Sequence, residues 1–148
     1  MKTYPLAKPY IDDEDKRGVL RVLDSGQLSL GPKYLQFEKD IVAYTGAKYA
    51  CAVSNGTCGL HLAVRALGLG EGDEVITTPF SFVASTNCLL YEKCKPVFVD
   101  IENKTFNIDT ERIEDAITKK TKAILAVHVF GQPAEMGTIL EIAKKHQL

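Results

Sequence analysis

From residue 48 onward, short apolar runs alternate with longer runs of helical periodicity. No other feature of the sequence constrains the fold as strongly. Repeated strand–helix units joined by right-handed crossovers lead to a mostly parallel sheet with helices on both faces. The pattern predicts strands at Tyr49–Val53, Glu74–Thr77, Pro96–Asp100 and Lys122–His128. It predicts helices at Thr57–Leu67, Phe82–Lys93, Thr110–Thr118 and Ala134–Gln147. Gly68, Gly70 and Gly72 fall in one connection and break the helix there. The expected architecture is α/β, a three-layer sandwich.

The first 47 residues read differently. Residues 1–11, with two prolines, are expected as an extended arm. Asp12 is a suitable N-cap, and Asp13, Glu14 and Asp15 suit a first helical turn. Val19, Leu20, Val22 and Leu23 would form that helix's buried face, and Gly26 would stop it. After the loop Gln27–Gly31, Pro32 opens a second helix that Gly46 ends, with Tyr34, Phe37, Ile41 and Tyr44 inward. The organisation is thus an arm with helices at 1–47 and a large domain at 48–148.

Composition narrows the function classes. A net charge of −1 gives no broad pull toward nucleic acid or anionic membrane. No apolar run is long enough to span a bilayer, and the N-terminus has no signal-peptide core. A cytoplasmic protein is expected, with Cys51, Cys58, Cys88 and Cys94 reduced and mostly buried. The three histidines are too dispersed to suggest a metal site. Walker A, G-x-G-x-x-G and G-x-S-x-G patterns are absent.

One turn suggests a ligand. Ser54-Asn55-Gly56-Thr57 lies between an apolar run and an amphipathic one. Free N–H groups at a helix start, together with the helix dipole, favour an anion there. Gly56 lets a ligand approach the backbone, and Thr57 adds a hydroxyl. An ordinary capping turn is the plain alternative. The next such turn, Thr77-Thr78-Pro79-Phe80-Ser81-Phe82, brings aromatic rings to the same expected sheet edge. A phosphate cradle beside an aromatic plate suits a flat phosphorylated ring, although a phenylalanine opening a helix is often simply core.

The blocks SNGTCGLHLA, GEGDEVITTPFSFVAS, KPVFVDI and TKAILAVHVFGQPAEM, in this order, resemble the DegT-type sugar aminotransferases. These belong to the fold-type I aspartate-aminotransferase superfamily and use pyridoxal 5′-phosphate (PLP) to aminate nucleotide-linked ketosugars. The resemblance runs from about Leu6 to Leu148, and Cys58-Gly59 departs from it. It implies that Gly56 and Thr57 hold the cofactor phosphate and that Phe82 stacks on the pyridine ring. It implies that Gly26, Gln27, Leu28 and Ser29 touch the sugar nucleotide. His128 receives no catalytic role.

The resemblance also implies two groups beyond Leu148: a carboxylate on the ring nitrogen, and the lysine whose amine forms a Schiff base with PLP. Lys93, Lys95, Lys119, Lys120 and Lys122 precede strands, which places them at the opposite sheet edge. The expectation is therefore a truncated aminotransferase with no catalytic residue of its own. It would be inactive alone, with weak or no PLP binding, and would be completed by a homodimer partner or a complementing C-terminal chain. A non-catalytic module for phosphorylated ligands, or one piece of a split enzyme, is the alternative.

Overall fold

The computed structural model describes residue 5 and residues 7–148. Most of the expected N-terminal arm lies outside the described residues; residues 7–11 have no regular structure. The chain divides into two compact units, Met1–Ala52 and Val53–Leu148.

In the first unit, α1 spans Asp13–Ser25 and α2 spans Pro32–Thr45. The sequence signals for their ends hold. The Asp12 carboxylate accepts from the amides of Glu14 and Asp15, and the Asp15 side chain answers by accepting from the Asp12 amide at 3.0 Å. Gly26 at φ 67° and Gly46 at φ 72° close the two helices in the left-handed conformation. The expected buried faces do not form. No residue of either helix is buried, and Leu23, Phe37 and Tyr44 are 55%, 55% and 90% exposed. Periodicity marks the face that seeks cover, but a unit built on two helices has little surface with which to cover it.

The expected strand Tyr49–Val53 is absent. The Ala52 amide donates to the Glu38 carboxylate of α2 at 2.9 Å. That bond and the Tyr34 hydroxyl hold the Glu38 carboxyl below its usual range.

The second unit contains α3 (Gly56–Ala66), β1 (Glu74–Thr77), α4 (Ala84–Tyr91), β2 (Lys95–Phe98), β3 (Thr121–Ile124) and α5 (Met136–His146). The strands form a parallel sheet in the order β2-β1-β3. Adjacent residues of β1 face opposite sides and seed two cores. Val75 packs with Val64 of α3 and with Cys88, Leu89 and Cys94; Ile76 packs with Val99, Ile108, Ile113, Ala134, Ile139 and Ile142. Helices thus cover both faces, and the three-layer expectation holds.

Two elements depart most from their patterns. β3 ends at Ile124 rather than His128, although the Leu125 amide still reaches the Ile76 carbonyl at 2.8 Å. β1 stops at Thr77, so later residues have no backbone to pair with. The expected helix Thr110–Thr118 is two 3-10 turns, Thr110–Arg112 and Glu114–Ala116. Its Ile113 is fully buried, so the turns serve as a plug for the core. Of the cysteines, Cys88 and Cys94 are buried, whereas Cys51 and Cys58 are exposed, correcting the expectation for those two.

Candidate functional site

In a parallel sheet the loops that follow the strands share one edge, and ligands bind where successive connections leave in opposite directions. Here β1 is that strand, with β2 on one side and β3 on the other. The chain leaving β1 at Thr77-Thr78-Pro79 therefore opens a crevice toward the chain leaving β3. The end of α3 connects to the start of β1, so the N-terminus of α3 points back to this same edge. α3 also packs on α4, which begins there.

Gly56 and Thr57 are the first two residues of α3. Asn55 is extended at φ −166°, and its side chain accepts from the Cys58 amide at 2.9 Å. The Asn55 carbonyl takes the Gly59 amide at 3.2 Å. Among the described residues, the amides of Gly56 and Thr57 have no partner within the helix or its cap. Gly56 does not have a positive φ, so turn strain does not explain it. A Cβ on Gly56 would meet no heavy atom within 4 Å, so packing against this chain does not require glycine there. Two uncommitted donors and a hydroxyl at the positive end of a helix fit a phosphate.

Phe82 lies before α4 rather than in it, and is 77% exposed in this chain. It lines a cleft of about 420 Å³ with Phe80, Ser81, His128 and Phe130. The cleft falls between the chains leaving β1 and β3, at the crevice expected from the strand order. Ring centroids of Phe80 lie 5.8 Å from Phe106 and 6.2 Å from Phe130, the second pair edge-on.

The wall carrying His128 and Phe130 is fixed by a residue that sequence reasoning missed. Asn107 is 2% exposed. Its side-chain oxygen accepts from the Val129 amide at 2.9 Å, and its nitrogen donates to the carbonyls of Gln132 and Pro133 at 3.0 and 3.1 Å. The His128 Nδ1 accepts from the Ala134 amide at 3.1 Å, so this histidine also closes the loop. The sole local signal for Asn107 was a polar residue between Phe106 and Ile108, and no motif flagged it.

The opposite edge carries the structural charges. Glu74, which opens β1, is buried; it accepts from the Thr118 hydroxyl at 2.6 Å and Lys95 Nζ at 2.9 Å. Those bonds, the Thr118 hydroxyl first, hold its carboxyl below the usual range. Lys95 is thus committed to an ion pair at the edge where the sequence placed it. Glu92, at the end of α4, meets His61 at 2.6 Å and Arg65 at 3.1 Å, bracing α3 against α4. Among the described residues no cluster of His, Cys, Asp or Glu is placed to hold a metal, and no helix is long and apolar enough to cross a membrane.

Gly26, Gln27, Leu28 and Ser29 lie in the first unit. They follow α1 in a tight loop, with Leu28 65% exposed and Leu30 at φ 50°. A Cβ on Gly31 would fall 2.4 Å from the Gln27 carbonyl oxygen, so only glycine fits there without movement.

Residues 9–148 match the profile of the DegT/DnrJ/EryC1/StrS aminotransferase family. The chain is 42% identical over 144 residues to a GDP-perosamine synthase of Caulobacter vibrioides, covering 97% of this chain and 39% of that protein. PseC of Helicobacter pylori, an aminotransferase involved in the biosynthesis of pseudoaminic acid, superposes with a TM-score of 0.93 at 38% identity, covering 99% of this chain and 40% of that one. The Bacillus subtilis NtdA structure with bound cofactor PMP gives a TM-score of 0.88 at 39% identity, covering 93% of this chain and 33% of that one. The chain therefore spans less than half the length of the proteins it matches.

Proposed function

The chain belongs to the DegT/DnrJ/EryC1/StrS aminotransferase family, and from that premise we propose that it forms the cofactor-phosphate portion of a cytosolic PLP-dependent aminotransferase acting on nucleotide-linked ketosugars. One arrangement supports the reading: by the strand order, the first amides of α3 at Gly56 and Thr57 fall at the same sheet edge as the exposed Phe82 ring. The amides would donate to the phosphate and the Thr57 hydroxyl would add a third donor. Hydrogen bonds to a charged group contribute about 1.5–3 kcal/mol each. The helix dipole adds about 0.3–1 kcal/mol, and stacking on Phe82 about 0.5–1.5 kcal/mol beyond burial. Phosphate donors thus dominate affinity, while Phe82 orients the ring. When bound, the cofactor supplies the electron sink for amino transfer.

This chain's own residues bind and orient; none at this edge is assigned to proton transfer. Glutamate as amino donor, Gly26–Ser29 as contacts for the sugar nucleotide, and completion by a second copy or a complementing chain belong to the same proposal. Amino transfer by the 148-residue chain alone is expected to be absent.

Pyridoxamine 5′-phosphate (PMP) is the appropriate probe, because it has no aldehyde to react with surface lysines. Thr57→Ala should weaken PMP binding about 10- to 150-fold, as expected for one lost hydrogen bond to a charged group, and inorganic phosphate should compete. PMP binding indifferent to both would refute the cradle. Amino transfer from glutamate to a nucleotide ketosugar by this chain would refute its inactivity.

A further inference from the structure

The cleft holds an aromatic ring that the reading above does not use. Phe130 is 89% exposed, and its backbone lies in the left-handed region at φ 54°. A bulky residue there is unusual. Such conformations persist only where the surroundings over-determine them, and they gather at ligand sites. The surroundings here do so. Asn107 grips the loop on both sides of Phe130, through the Val129 amide and the carbonyls of Gln132 and Pro133. Phe106, itself at φ 61°, packs against Phe80, and Phe80 meets Phe130 edge-on. A loop built for stability alone needs neither the strain nor the exposed ring; glycine at 130 would remove both.

We infer that Phe130 is a second aromatic wall of the cleft, that it contacts the flat ring of the bound cofactor in addition to Phe82, and that Asn107 is the positioning residue that holds it there. The inference rests on the PLP reading and adds contacts to that same site. A cleft of about 420 Å³ that Phe82 and Phe130 both line, at the crevice of the strand order, is within the usual size of small-molecule sites. The occupant is a planar heteroaromatic ring because the wall is aromatic and its one titratable side chain, His128, is tied back to the Ala134 amide.

Two ligands separate the cradle from the wall. Inorganic phosphate, followed through the backbone amide signals of Gly56 and Thr57, reads the cradle alone; PMP reads cradle and wall together. Phe130→Ala should weaken PMP about 3- to 10-fold, the range of one aromatic contact, while phosphate affinity stays at the wild-type value. Asn107→Ala should weaken PMP to the same extent and speed hydrogen exchange of the Val129 amide. Phe130→Gly sits on the surface and will fold: it should raise the melting temperature while weakening PMP. Wild-type PMP affinity in Phe130→Ala and Phe130→Gly would overturn the inference and leave the cradle standing. Parallel loss of phosphate and PMP binding in those variants would also overturn it, since the ring would then act only through the fold. Absence of any phosphate response at Gly56 and Thr57 in the unaltered chain would overturn the cradle, and the inference with it.

Discussion

Glu74 opens the central strand as a buried carboxylate held by Thr118 and Lys95, and its pKa is depressed. Hydrogen bonding to Glu92, Glu102 and Glu114 depresses theirs as well. A group whose folded pKa lies below its unfolded one contributes stability that is present above the unfolded value. That contribution is lost as pH falls through the folded value. Stability should therefore stay level at neutral pH and fall on the acid side of the usual carboxylate range. Glu74→Gln should lower the melting temperature at pH 7, and its deficit relative to the unaltered chain should shrink as pH falls through the depressed pKa of Glu74. A deficit independent of pH would mean that shape, not charge, is what Glu74 contributes. At this scale the sequence was partly legible. The turn residues Asn55, Gly56 and Thr57 stood out as a helix start because small polar residues between two apolar runs favour caps, and Asn55 does cap α3. Asn107 did not, because its three bonds go to residues more than 20 positions away and leave no local pattern.

Helix ends were the easiest elements to read. Caps are local chemistry: Asp12, Gly26, Pro32 and Gly46 all sit where their backbone preferences place them. The Glu74–Thr77 strand matched its pattern because both its faces are covered, so all four of its residues are buried. The Tyr49–Val53 run is more apolar still, but its Ala52 amide goes to a side chain rather than to a strand. A strand is a relation between two segments, and one segment's composition cannot supply the other. α3 offers a test at this scale. Asn55→Ala removes its cap and should cost about 1 kcal/mol of stability, read by denaturant unfolding. The same change releases the Cys58 amide, which now bonds Asn55, as one further donor at the turn. Phosphate affinity should therefore hold or rise while stability drops. A fall in both would mean that the cap, not the amides, shapes the cradle.

Across the whole molecule, apolar surface is left open. Val19, Leu20 and Leu23 of α1 and Phe37 of α2 are each more than half exposed, as are Phe82 and Phe130. Among the described residues β2 and β3 are both edge strands. Patches and edges of this kind favour association. Light scattering should show the chain's apparent mass rising with concentration, and a single monomer mass across the soluble range would count against it. Layer order and sheet polarity were legible because alternation and crossover handedness fix them, whereas the cover for α1 and α2 was not, since it depends on surfaces their own sequence does not describe. The separation of the two sheet edges has a further consequence. The Glu74–Lys95–Thr118 latch sits at one edge, while Gly56, Thr57, Phe82 and Phe130 sit at the other. Libraries that randomise the open-edge side chains can explore new ligand preferences with the latch untouched, so this sheet is a favourable starting point for directed evolution.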